Sequence, residues 1–177
     1  MVITLIGYRG SGKTTVAGPL AERLGWEWAD SDDELEKRDG RTIREIFAAD
    51  GEDYFRRLER ETIAELLRKE HLILAAGGGA ILNEDSRNNM RAAGPVVWLQ
   101  ASVDTLYQRI HGDQTTAERR PDLTDTGGRR EIEDVLSRRE SLYRESASIL
   151  IQTDERTTDQ IVDQIVESAG VSVDEET

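Results

Sequence analysis

The chain has 177 residues and no cysteine, enough length for one hydrophobic core and a composition that excludes disulfides and thiolate metal sites. Its 36 acidic residues against 23 basic ones leave a net charge of −13, which disfavours nucleic acid and anionic membranes as partners because no basic tract gathers positive charge on one face. No apolar stretch approaches the ~20 residues that span a bilayer, and the first apolar run follows no basic region or cleavage signal, so a cytoplasmic protein without a membrane partner is expected.

Residues 2–6 form an apolar run that predicts a strand, followed at once by Gly7-Tyr8-Arg9-Gly10-Ser11-Gly12-Lys13-Thr14. That is a complete phosphate-binding loop, G-x-x-x-x-G-K-[ST], in the strand, loop and helix context that gives it meaning. Glycines let successive backbone N–H groups converge on one point, where the start of a helix adds partial positive charge. Lys13 is placed to reach the β- and γ-phosphates and Thr14 to offer a hydroxyl to Mg2+, so ATP and magnesium are the expected ligands. Gly10, Ser11, Gly12, Lys13, Thr14 and Thr15 are the expected nucleotide-binding residues.

Val16, Leu20 and Leu24 recur at helical spacing over residues 13–24, with Gly25 as C-cap. Gly18-Pro19 inside this helix predicts a kink or a loosened turn. Residues 26–30 alternate as a short strand and end in Asp30-Ser31-Asp32-Asp33. In an α/β sheet this cluster falls at the same edge as the phosphate loop. Asp30 and Asp32 then divide two tasks, one carboxylate orienting magnesium and the other accepting a proton from an attacking hydroxyl. Helix capping is the competing use of such aspartates, and Asp33 is the first candidate for it.

Residues 41–49 and 52–67 read as two amphipathic helices separated by Asp50-Gly51. Arg56 and Glu59 have the spacing of a helix-surface ion pair, while an arginine fork aimed at a carboxylate is the sharper reading. A buried strand over 71–76 runs into Gly77-Gly78-Gly79, and no aspartate ends it. Magnesium orientation therefore falls to Asp30, and three consecutive glycines point to close approach by a ligand or another backbone.

A helix near 85–93, a strand at 96–99 and a helix from Ser102 to near Arg109 follow. Residues 111–129 are polar and aperiodic, too long for an ordinary connection, and read as an active-site lid carrying Arg119-Arg120-Pro121. A charged helix at 131–145, a strand at 148–152 and a helix at 158–169 complete one α/β domain of about 1–170, with an acidic tail at 171–177.

These separated motifs together resemble the shikimate kinase family over residues 2–167: the phosphate loop; Asp30-Ser31-Asp32 with Glu36; Gly40-Arg41-Thr42-Ile43 leading to Ile46-Phe47; Gly51-Glu52 with Phe55-Arg56 and Glu59; the triple glycine; Arg120-Pro121; and Arg139 with Leu142-Tyr143. The resemblance implies a three-layer α/β fold with a five-stranded parallel sheet in order 2-3-1-4-5, a substrate-binding subdomain at about 32–67 and a mobile lid. It implies ATP- and Mg2+-dependent phosphorylation of the 3-hydroxyl of shikimate. Asp32 takes the role of base and hydroxyl ligand, Asp30 and Thr14 serve the metal, and Arg56 and Arg139 grip the substrate carboxylate beside Gly77, Gly78 and Gly79. Lys13 and Arg120 stabilise phosphoryl charge, and Arg109 and Arg156 match positions at the adenine. The lid departs from the family's Arg-Pro-Leu-Leu, having Arg119-Arg120-Pro121-Asp122-Leu123, so Arg119 is a second candidate for the phosphate contact. A monomer is expected. Two alternatives stay open: a kinase of the same architecture acting on gluconate or another hydroxy acid, and a nucleotide-binding regulatory module without catalysis.

Overall fold

A computed structural model describes residues 1–112 and 128–171. The expected lid residues Arg119, Arg120 and Pro121, and the tail beyond Val171, lie outside the described residues. Five parallel strands, β1 (Val2–Ile6), β2 (Glu27–Asp30), β3 (Leu72–Ala75), β4 (Val96–Gln100) and β5 (Ile149–Gln152), pair in the order β2-β3-β1-β4-β5, as the family resemblance implies. Seven helices surround them among the described residues: α1 (Lys13–Leu24), α2 (Ser31–Asp39), α3 (Ile43–Leu66), α4 (Glu84–Ala93), α5 (Val103–Gly112), α6 (Gly128–Ser146) and α7 (Thr158–Ala169).

The central strands are apolar on both faces because both faces are covered. Ile3 and Leu5 of β1 and Val97 and Leu99 of β4 pack against Val16 and Leu20 of α1 and Ile161 and Ile165 of α7. Their neighbours Ile6, Val96 and Trp98 point the other way, onto Ile63, Met90 and Tyr143. This period of two fixes the register, since a slip of one residue would turn each side chain to the wrong layer. With β1 between β3 and β4, the connections reverse direction beside it, and ligands of such sheets bind at that point.

The two helices expected on either side of Asp50-Gly51 are present and meet at a kink where Gly51 takes φ 77° and ψ −176°. Helix α1 continues through Gly18-Pro19, with Val16, Leu20, Ala21 and Leu24 holding its inner face in the core while Pro19 supplies no backbone donor. One boundary needs correction: α5 continues to Gly112 and α6 starts at Gly128, so both ends of the expected lid are helical.

Helices α2 and α3 have a small core of their own. Leu35, Ile43, Ile46, Phe55 and Leu58 are buried together, each contributing about 1.5–3 kcal/mol by leaving water. The turn between them is pinned by backbone and side-chain bonds: Glu36 accepts from the Ile43 amide at 2.9 Å, and Thr42 and Glu45 form a reciprocal capping box. No helix among the described residues is long and apolar enough to cross a membrane.

Candidate active site

The phosphate loop leaves β1 through backbone conformations that favour glycine. Gly7 has φ 149°, and a Cβ there would lie 2.5 Å from the Leu99 carbonyl oxygen; Gly12 has φ 97° and forms the N-cap of α1. No side chain caps this helix and its first turn holds no acid, which leaves its amides and the positive end of its dipole available to an anion. The Lys13 ammonium stays on the loop, donating to the Gly7 carbonyl at 2.9 Å and the Tyr8 carbonyl at 3.1 Å. A cleft of about 570 Å³ opens from here between α1, α5 and α7. Gly10 to Thr15 line one end of it and Arg109, Thr153, Arg156 and Thr158 the other, so the two outlying arginines share a cavity with the loop. Arg109 is fixed across the cleft by bonds to the Gly10 carbonyl at 3.3 Å and to the Thr153 hydroxyl and carbonyl at 3.2 Å each.

At the edge of this cleft the end of β2 meets the start of α1. The Thr14 hydroxyl donates to Asp30 Oδ2 at 2.8 Å, while Asp30 Oδ1 accepts from the Asp32 amide at 2.9 Å. Asp30, not Asp33, is thus the N-cap of α2; Asp33 lies in the helix's first turn, because β2 ends one residue before the helix begins. Burial raises the Asp30 pKa, helped by the negative charge of Asp32, against the lowering effect of the Thr14 and Asp32 hydrogen bonds. A hydroxyl and a carboxylate in contact are hard oxygen donors that fit Mg2+. Among the described residues no group of three or more His, Cys, Asp or Glu forms a cage, which suits a magnesium held mainly by phosphate oxygens and water.

The other side of the acidic cluster faces the triple glycine. The Ser31 hydroxyl accepts from the Gly77 amide at 2.8 Å, and Arg139 of α6 donates to the Gly78 carbonyl at 3.0 Å. Arg56 lies directly on Gly79, where an added Cβ would come 2.0 Å from its guanidinium. The close approach at Gly79 is thus made by a side chain, Arg56, where the glycine run points to a ligand or another backbone. Arg56 is held in place by Glu59, 4% exposed, at 2.8 Å and by Glu52 at 3.3 Å. The helix ion pair and the arginine fork coexist: two guanidiniums from different helices meet on adjacent glycines.

Some supporting residues gave no sequence signal. Arg87 is only 8% exposed and donates to the Ile81 carbonyl at 2.9 Å, tying α4 to the turn after the glycines. Asp154 accepts from the Ser102 amide and the Thr105 hydroxyl, joining the start of α5 to the loop that holds Thr153. Burial would raise the Asp154 pKa, but the bonds from Thr105 and Ser102 hold it below the ordinary value. Arg120, expected to complete the phosphate contacts, lies outside the described residues.

Comparison with known proteins identifies the family. The profile of the shikimate kinase family matches residues 9–169. A shikimate kinase of Rhodopirellula baltica is 43% identical over 169 residues, covering 96% of this chain and 90% of that one. One from Methylococcus capsulatus is 42% identical over 164 residues, 93% of this chain and 89% of its own. The structure of shikimate kinase from Acinetobacter baumannii in complex with shikimate superposes with a TM-score of 0.87 at 38% identity, over 94% of this chain and 90% of that one. A gluconokinase from Sinorhizobium meliloti, at 16% identity and a TM-score of 0.58, shares the fold alone. With an uncapped phosphate loop, an acidic pair beside it and two arginines on a glycine turn, matched by relatives along nearly its full length, the chain belongs to the shikimate kinase family.

Proposed function

We propose that the chain transfers the γ-phosphoryl group of ATP to the 3-hydroxyl of shikimate, giving shikimate 3-phosphate and ADP, in the route to chorismate. The observation that carries this reading is the meeting of Arg56 and Arg139 on Gly79 and Gly78, a paired positive seat for a planar carboxylate at the edge of a phosphate cleft. Arg56 and Arg139 hold the acceptor carboxylate, and the backbone of Gly77 to Gly79 shapes the floor beneath it. Helices α2 and α3, over about residues 32–67, act as the substrate-binding subdomain.

The amides of the phosphate loop and Lys13 hold the β- and γ-phosphates, while Arg109 and Arg156 border the base. Thr14 and Asp30 would hold a magnesium ion, whose charge would offset that of the phosphates. Asp32 accepts the proton of the acceptor hydroxyl as its oxygen forms a bond to the γ-phosphorus and the bond to the β-phosphate oxygen breaks, releasing ADP. Lys13, with Arg120 from outside the described residues, stabilises the charge that spreads over the transferring group.

The test is ADP release with ATP and magnesium, comparing shikimate, gluconate and no acceptor. Release that depends on shikimate is expected. Release with gluconate instead keeps a kinase and discards the acceptor; no acceptor-dependent release despite ADP binding leaves a nucleotide-binding regulatory module.

A further inference from the structure

We propose that Ser31 is a positioning residue for the acceptor, holding the triple-glycine turn through one buried hydrogen bond. The pairing of β2 with β3 ends at Asp30 opposite Ala75. Gly77 lies beyond that point, so its amide has no strand carbonyl to meet. A buried N–H in that position needs a partner. The Ser31 hydroxyl, on the first residue of α2 and 2% exposed, supplies it at 2.8 Å.

The placement of this bond gives it more than a local meaning. On one side of Ser31, Asp30 is engaged with Thr14 and with the Asp32 amide through bonds that do not involve the Ser31 hydroxyl. On the other side, the glycine turn it anchors carries the Gly78 carbonyl that receives Arg139 and the open face of Gly79 on which Arg56 rests. One hydroxyl therefore fixes the spacing between Asp32 and the two guanidiniums. The phosphate loop leaves β1, which is paired with β4 as well as with β3, and the Ser31 hydroxyl makes no bond to it.

Loss of the hydroxyl leaves the Gly77 amide buried and unpaired, and the turn relaxes by moving. That displacement falls on the acceptor seat, not on the nucleotide cleft. The inference rests on the proposed acceptor being a carboxylate held by Arg56 and Arg139.

The test compares Ser31→Ala, Ser31→Thr and wild type in steady-state kinetics and in amide hydrogen exchange. Ser31→Ala is expected to raise the shikimate KM about tenfold, the effect of unpairing one buried donor, while the ATP KM stays within about twofold. Ser31→Thr keeps the acceptor oxygen and returns the shikimate KM to within about threefold of wild type. A merely structural serine predicts instead a lower Tm with both KM values moving together, and that result overturns the proposal. Should wild type show no shikimate-dependent turnover, the acceptor reading fails by itself, and exchange decides on Ser31. Exchange at the Gly77 and Gly78 amides at least about tenfold faster in Ser31→Ala, with Gly10 and Gly12 unchanged, supports the anchoring role; equal rates overturn it.

Discussion

Helices α1 and α2 both begin at the carboxyl edge of the sheet, after β1 and β2, yet their first turns are built in opposite ways. Helix α1 starts on Gly12 with no side-chain cap and no acid in its first turn. Helix α2 starts on Asp30, whose carboxylate caps the Asp32 amide, and follows it with Asp32, Asp33 and Glu34. The second helix satisfies its own dipole; the first leaves that position for an anion from outside. Thr14 joins them by its bond to Asp30, so the electropositive helix start and the Asp30 carboxylate are in contact.

The strongest way to break this contrast is to give α1 the cap that α2 has. Gly12→Asp places a carboxylate where the phosphate belongs and a side chain at φ 97°, and turnover is expected to fall on the order of 1,000-fold, with ADP affinity lost in calorimetry. Unchanged ADP affinity would show that the open helix start is not the anion site.

On the second helix, Asp32→Asn removes the proposed base and should lower kcat about 100-fold while the ADP Kd stays within about twofold. Equal turnover in stopped assays would take Asp32 out of the mechanism. A smaller effect is expected beyond the two helix starts. Glu59→Gln weakens the hold on Arg56 and should raise the shikimate KM about tenfold with little change for ATP. A matching rise in both constants would mean that Glu59 serves the fold alone.

The smallest expected effect is on stability and has the opposite sign. Because burial and Asp32 raise the Asp30 pKa, the folded chain binds this proton more tightly than the unfolded chain does. Stability therefore falls as pH rises from the ordinary value of 3.8 through the raised one, and the penalty is fully present above it. Asp30→Asn, in magnesium-free buffer without nucleotide, should raise Tm at pH 7 by a few degrees while activity drops, and the gain should vanish below the ordinary carboxylate pKa. Thermal melts across pH check this; a gain independent of pH would assign it to something other than ionisation.

The two helix starts also differ in how far the sequence revealed them. The phosphate loop lies in eight contiguous residues, so its glycines, Lys13 and Thr14 were legible as a unit. The identity of the cap on α2 was not, because it depends on where β2 ends: the helix starts at Ser31, which gives the role to Asp30 and leaves Asp33 in the first turn. Arg56 with Glu59 was readable from helix spacing, whereas the contact of Arg56 with Gly79 exists only after α3 and β3 come together. The bond from Gly77 to Ser31 spans 46 residues and no local pattern announces it. Proline at position 19 lies inside α1, whose inner face is held by the core contacts of Val16, Leu20 and Leu24. The apolar spacing of α5 stops at Ile110, four residues after Leu106, so His111 and Gly112 beyond it read as part of the lid.

The central claim is that a free phosphate-binding helix start faces an acceptor held by its carboxylate on Arg56 and Arg139. Its most direct test is kcat/KM for shikimate against shikimate methyl ester, in wild type and in Arg139→Met. Wild type should prefer the free acid by about 100-fold, and Arg139→Met should lose most of that preference while the ATP KM stays near the wild-type value. An ester used as well as the acid by the wild-type enzyme would contradict the account.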